Sequence, residues 1–250
     1  MDWTQTFYRQ QAEWSAAYQG PVTERHRTRA RWVGARIGSP PKRVLELGAG
    51  GGQDAVALAA LGYEVVAVER EPLLASHIRA LAESGPALPL TVVEDDFYQV
   101  SLPAASFDAV VYWDGFGIGT DADQRRLLRR VRRWLKPEGW VFLEVYTPWH
   151  AARSAGHSMR VGEAVRTYAF DPEGCRWLDE WRRGEERVVQ SLRCYSPADL
   201  RLLLEGSGLA WVGLEPGGRM DYITGRYEPR APLAQAMSYT AVLRVAKSSS

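Results

Sequence analysis

In "VLELGAGGGQDAVALAALGYEVVAVER", residues 44–70, four glycines fall within five positions. An acid stands two residues before the first of them, and another stands seventeen residues after the last. Few folds satisfy such a stretch. Arg43–Leu47 and Glu64–Val68 are short runs dominated by branched and apolar residues, the pattern of strands buried on both faces. Gln53–Leu61 between them is alanine-rich and predicts a helix that can lie close to a sheet. Two strands joined through a helix pair in parallel with a right-handed crossover.

The alternation continues. Pro72 opens a helix running to about Glu83, and Leu90–Val93 and Phe107–Trp113 predict two further strands. Asp121–Leu135 predicts a helix with Leu127, Leu128, Val131, Trp134 and Leu135 on one stripe, and Trp140–Tyr146 a fifth strand. The pattern implies an α/β, doubly wound, Rossmann-like sheet with helices on both faces. Residues 3–18 and 24–37 read as two helices, so residues 1–39 are expected to form an N-terminal helical cap on a main domain of 40–250. Residues 150–195 break the alternation with polar and aromatic stretches that predict two or three antiparallel strands, an insertion forming a lid over the mouth of the sheet. Regularity returns at "SPADLRLLLEGSG", with Ser196 as N-cap and Pro197 in the first turn. Strands at Leu209–Leu214 and Tyr239–Val245 close the chain.

Composition narrows the function. The 250 residues carry a net charge of +1, which gives no argument for nucleic acid or a membrane as partner. The arginines at 125–133 fall opposite the apolar stripe of their helix and read as its solvated side. No run approaches the ~20 apolar residues that span a bilayer, and the first twenty residues lack the pattern of a signal peptide. Cys175 and Cys194 show no metal-ligand spacing, and no metal is expected. The expected setting is cytoplasmic, with both thiols reduced.

Glycine at the end of a buried strand lets backbone approach a ligand where a Cβ would intrude. Glu69, at the end of the second strand, would sit across the crevice and accept from the two hydroxyls of a ribose. Loop and acid together point to a nucleoside-containing ligand, for which NAD, FAD and S-adenosylmethionine all qualify. The string Glu46-Leu-Gly48-Ala-Gly50-Gly-Gly52 differs from the dinucleotide pattern. A carboxylate beside the loop repels a pyrophosphate and suits an amino group and a sulfonium, which favours S-adenosylmethionine.

Two further stretches, "EDDFYQVSLPAASFDAVVYWDGFG" and "LRRVRRWLKPEGWVFLEVY", follow in order and at matching intervals. With them the chain resembles the class I S-adenosylmethionine-dependent methyltransferases, small-molecule enzymes with a type 11/25-like domain, over about 40–147 and 196–246. The resemblance implies EC 2.1.1 chemistry, a seven-stranded sheet of order 3-2-1-4-5-7-6 with strand 7 antiparallel, and S-adenosylhomocysteine as product. It also implies a cofactor site. Gly48, Ala49, Gly50 and Gly52 would approach the methionine part beside Glu46. Glu69 would take the ribose with Arg70 alongside. Asp96, or alternatively Asp95, would meet the adenine amino group and Phe97 the ring, and Trp113 would lie near the methionine end.

Ligands bind outside the carboxyl ends of strands in such sheets. That makes "YWDGFG" (112–117) and "YTPWH" (146–150) expected pocket walls, with Trp113, Phe116, Trp149, Tyr168 and Tyr222 as substrate contacts. His150, His157 and Tyr146 are candidate bases, if the acceptor needs one; His26 and His77 read as solvated residues of outer helices. The expected acceptor is the oxygen, nitrogen or carbon of a small organic molecule, methylated by a monomer or homodimer. A protein or RNA methyltransferase and a non-catalytic S-adenosylmethionine-binding protein are the alternatives.

Overall fold

The structure is a computed structural model that describes residues 2–246. In chain order it opens with α1 (Asp2–Ser15), α2 (Glu24–Ile37), β1 (Arg43–Leu47), α3 (Gln53–Ala59), β2 (Glu64–Glu69), α4 (Pro72–Glu83), β3 (Leu90–Glu94), β4 (Phe107–Tyr112), α5 (Asp121–Trp134) and β5 (Leu135–Tyr146). It continues with α6 (Pro148–Ser154), β6 (Ser158–Val161), β7 (Ala164–Asp171), β8 (Arg176–Arg183), β9 (Glu186–Arg193), α7 (Pro197–Leu204), β10 (Leu209–Pro216), β11 (Arg219–Asp221), β12 (Arg226–Glu228) and β13 (Ser238–Val245).

Seven strands form one mixed sheet of order β3-β2-β1-β4-β5-β13-β10. The first five are parallel, and β13 runs antiparallel between β5 and β10. This is the expected order. The central strands are buried nearly end to end because both faces are covered. One core packs Leu127, Leu128, Val131 and Trp134 of α5 and Leu200, Leu203 and Leu204 of α7 against one face. The other packs Ala55 and Leu58 of α3 and Ile78 of α4 against the opposite face. Small side chains let α3 lie close to the sheet. Thr120 and Ser196 begin α5 and α7 with reciprocal caps to Asp123 and Asp199.

Four details differ from the sequence reading. β5 starts at Leu135, not Trp140, because Leu135 pairs with Phe107 before an irregularity in the ladder. The insertion holds four antiparallel strands, β6-β7-β8-β9, preceded by the short helix α6. And residues 1–39 divide between two places. Ala30, Val33 and Ile37 of α2 belong to the sheet's own core. α1 instead packs Phe7 and Trp14 against Ala164 and Trp181 of the insertion. A small hairpin, β11–β12, held by a two-pronged Arg219–Glu228 pair at 2.8 Å, was also not foreseen.

Candidate functional site

The strand order turns at β1, whose neighbours β2 and β4 lead to opposite edges, so a crevice opens beyond its end. Gly48, Gly50 and Gly52 there have φ of +57, +55 and +80°, the left-handed region that glycine adopts without strain. A Cβ on Gly52 would stand 2.6 Å from the Ile78 side chain. Below the loop lies a cavity of about 930 Å³, at the upper end of small-molecule sites.

Two carboxylates frame the loop. Glu46 is 2% exposed, and its Oε2 has no hydrogen-bond partner among the described residues. Burial, then the nearby Asp54, pushes its carboxyl well above the ordinary range. Glu69 accepts from the backbone N–H of Gly50 at 2.7 Å and of Glu71 at 2.9 Å. Burial pushes it up to about 7, and those N–H groups hold it from rising further. A carboxylate has about four acceptor sites, so Glu69, with the Arg70 N–H also acting on it, keeps spare acceptor capacity for a ligand.

On the β3 side, Asp96 lines the cavity and Asp95 is exposed outside it. Asp96 Oδ2 stands 3.5 Å from Arg70 Nη1, and its Oδ1 accepts from the Tyr98 N–H at 2.8 Å. Phe97 lines the same end, its ring centroid 5.2 Å from that of Tyr112. Trp113 lines the cavity from the exit of β4, with the Arg29 guanidinium 4.4 Å from its ring centre.

The substrate-side expectations divide. Tyr146 lines the cavity, while His150, His157, Phe116, Trp149, Tyr168 and Tyr222 are not among its lining residues. These are corrections, and His150, His157, Tyr168 and Tyr222 share one cause. The insertion folds as its own sheet and packs its aromatic face against α6 behind Tyr146, so these rings meet each other. His150 is 3% exposed between Tyr146, Trp177 and Tyr222, and burial pushes it down to about 4, so it is neutral near pH 7. His157 lies 4.3 Å, ring to ring, from Tyr222. Phe116 is fully buried in the main core.

The cavity's cover comes instead from the N-terminal segment. Tyr18 has φ +65°, and its carbonyl oxygen lies where a Cβ on Gly51 would come within 1.5 Å. Gln53 Nε2 donates to the carbonyls of Tyr18 at 2.6 Å and Gly20 at 2.8 Å, tying this strap to the loop. The Tyr18 hydroxyl donates to Asp114 Oδ2 at 2.9 Å, and Tyr146 donates to Asp114 Oδ1 at 2.5 Å. Tyr8 of α1 lines the cavity and accepts from Gln190 of the insertion at 2.7 Å, so the insertion supports the cover without forming it. Tyr8, Tyr18, Gln53, Asp54, Asp114 and Glu144 escaped the sequence reading. The visible signals were an acid directly after the fourth strand and tyrosines upstream of Gly20-Pro21. The two histidines read as solvated are engaged as well. His26 lines the cavity and accepts the Thr23 N–H at 2.9 Å, and His77 Nδ1 is 2.9 Å from the Gly51 carbonyl.

Comparison with known proteins adds to this geometry. Residues 44–139 match a family model described as a methyltransferase domain. Ubiquinone biosynthesis O-methyltransferase of Thiobacillus denitrificans is 32% identical over 123 residues, 49% of this chain and 52% of the relative. Residues 44–139 carry a methyltransferase domain, in a chain with the fold of the class I S-adenosylmethionine-dependent methyltransferases. The chain spans about half the length of the curated relatives it matches; the Xanthomonas campestris pv. campestris ubiquinone biosynthesis O-methyltransferase is also 32% identical, over 126 residues. Its fold extends further. The CcbJ methyltransferase of Streptomyces caelestis superposes with a TM-score of 0.74 over 96% of each chain at 23% identity. A Burkholderia thailandensis 1,6-didemethyltoxoflavin-N1-methyltransferase, solved with 1,6-didemethyltoxoflavin and S-adenosylhomocysteine, superposes with a TM-score of 0.57 over 90% of this chain and 79% of its own, at 17% identity.

Proposed function

We propose that this protein transfers the methyl group of S-adenosylmethionine to a small organic molecule held in the 930 Å³ cavity. The observation that carries the reading is the pairing of a glycine cradle with buried, unfilled acceptors. Glu46 Oε2 lacks a partner among the described residues near the end of β1, and Glu69 keeps spare acceptor capacity beside Gly50. A ligand with an amino group at one end and two ribose hydroxyls further along answers both needs.

When bound, S-adenosylmethionine supplies an electrophilic methyl group on a positively charged sulfur. The residues of the chain do the rest. Gly48, Ala49 and Gly50 allow close approach, Glu46 faces the amino end, Glu69 takes the ribose, and Asp96 and Phe97 flank the adenine. Trp113, Tyr18 and Tyr146 stand at the opposite end, where an acceptor would enter. Holding a nucleophile in line with the methyl carbon supplies roughly 7–11 kcal/mol, so positioning is their main task. The strap and α1 exclude water from that space. A covered cavity favours a small acceptor over a protein or RNA chain, which needs an open groove.

Calorimetric titration with S-adenosylhomocysteine tests the cofactor, and transfer of label from S-adenosylmethionine to extracted small molecules tests the reaction. Binding without transfer to any small molecule, but with transfer to protein or RNA, would overturn the acceptor class.

A further inference from the structure

Asp114 is a carboxylate with no ion pair among the described residues, on which Arg166 acts only from beyond ion-pair distance. It stands two residues past β4 at φ +52°, a conformation that costs a residue with a Cβ of order 1–3 kcal/mol and that persists where surrounding structure enforces it. Its two recorded partners, the hydroxyls of Tyr18 and Tyr146, are neutral. The guanidinium groups in the neighbourhood are already held. Arg166 binds both oxygens of Asp179, at 2.8 and 2.6 Å. Arg29 is bound to Asp54 at 2.8 Å and stands 3.6 Å from Glu144. Burial first, then Glu144, raises the Asp114 carboxyl, and the two hydroxyls and the more distant Arg166 offset this only in part. Removing a carboxylate from water without a counter-charge costs several kcal/mol.

The whole cavity has the same sign. Nine carboxylates and four guanidinium groups are among its lining residues, although the chain as a whole carries +1. Glu46, Glu69 and Asp96 are assigned to the cofactor; of the six others, Glu24, Asp54, Glu71, Glu144 and Glu215 each stand within 4 Å of an arginine, and Asp114 does not. Tyr8, Tyr18, Tyr146 and Trp113 line the space around it, and aromatic faces attract cations. Trp113 is 7% exposed and its indole N–H has no partner among the described residues, a second unmet group next to Asp114 in the chain.

Building on the methyltransferase reading, we propose that the acceptor is an amine, seated with its nitrogen on Asp114 between the rings of Tyr18 and Tyr146. An acidic acceptor would bring a further negative charge to a site that already holds an excess, and a neutral hydroxyl would leave Asp114 uncompensated. An acceptor arriving as an ammonium ion gives one proton to the Asp114 carboxylate, which frees the nitrogen lone pair. That pair forms the N–C bond as the C–S bond breaks, and the electrons of the broken bond stay on sulfur as a neutral thioether. The product leaves as the methylated ammonium ion, and the proton left on Asp114 passes to solvent, which restores the carboxylate.

The test uses the full chain with labelled S-adenosylmethionine and a cell extract separated into amine, alcohol and phenol, and carboxylic-acid fractions, with the methylated atom located by mass spectrometry and NMR. S-adenosylhomocysteine binding is measured first by calorimetry; its absence would defeat the cofactor reading itself, independently of the acceptor. With binding intact, label on nitrogen is the expected result. Label on oxygen or carbon, or no label in any fraction, overturns the amine. Asp114→Asn keeps shape and removes charge, and is expected to lower kcat/KM for the amine at least about tenfold while S-adenosylhomocysteine affinity stays within about threefold. Tyr146→Phe, which leaves the charge in place, is expected to lose less. Equal kcat/KM in wild type and Asp114→Asn also overturns the proposal. Should Asp114→Asn fail to fold, the labelled atom decides alone.

Discussion

Glu69 carries a titration that ligand binding must reverse. Burial raises it to about 7, above the ordinary carboxylate value, so at pH 6 most of the ligand-free protein holds a proton there. Accepting from two ribose hydroxyls favours the carboxylate form. Binding of S-adenosylhomocysteine at pH 6 should therefore release protons, and release from Glu69 should have faded by pH 8, where that group is already ionised. Affinity should accordingly rise from pH 6 to 8 and level off. Calorimetry in buffers of different ionisation enthalpy reads this directly, and Glu69→Gln should flatten the dependence to what Glu46 contributes. Buffer-independent heats at pH 6 would show that Glu69 does not change state. The linkage has a second consequence with the opposite sense. A carboxyl raised in the fold favours the folded state while protonated, so its contribution to ligand-free stability is lost as pH rises from the ordinary carboxylate range through 7. The placement of Glu69 beside the glycine loop was legible from sequence because its position relative to β1 and the glycines is fixed by the crossover. Asp114 was not, because its meaning depends on Tyr18 and Tyr146, which lie 96 and 32 residues away along the chain.

At the scale of elements, the cover over the site is a relay. The insertion braces α1, α1 leads into the strap at Tyr18, and the strap rests on the glycine loop. Trp181 is 2% exposed in the contact between β8 and α1, and Trp181→Ala should destabilise that contact by roughly 3–5 kcal/mol. Hydrogen exchange should then rise across residues 3–14 while the central strands keep their protection; unchanged exchange in α1 would mean that it docks without the insertion. Gly51→Ala strikes the other end. Its added Cβ meets the Tyr18 carbonyl at 1.5 Å, and backbone on both sides leaves little room to yield. Exchange at residues 16–20 should increase and S-adenosylhomocysteine should bind more weakly, with full retention of both in the variant contradicting the strap's role. The βα alternation was readable because each unit satisfies its pattern locally. The relay was not. Two or three antiparallel strands were visible between 150 and 195, but four pair in the structure, and their partner is a helix at the opposite end of the sequence. Rings expected at the mouth, Tyr168 and the half-buried Tyr222 among them, pack against one another because the insertion's aromatic face turns toward α6.

For the molecule as a whole, the cavity's charge separates nucleoside ligands that the glycine loop alone does not. With nine carboxylates facing four guanidinium groups, a pyrophosphate would enter a field of its own sign, whereas a sulfonium and an ammonium would enter an attractive one. A ligand bound only by the native state at one hundred times its Kd adds about 2.7 kcal/mol of stability. For a chain of this size each kcal/mol moves the unfolding midpoint by roughly 2–4 °C, so S-adenosylhomocysteine should raise Tm by about 5–11 °C. NAD at the same concentration should leave it unmoved. S-adenosylmethionine, which carries one more positive charge than its demethylated product, should lose more affinity than the product as salt is raised, because screening weakens the attraction acting on the extra charge. The comparison is made at a single pH above 7, where Glu69 is ionised without ligand, so that proton release does not enter the shift. Equal shifts from NAD and S-adenosylhomocysteine would mean that the loop recognises adenosine alone, and that the carboxylates around it serve the fold and not the ligand.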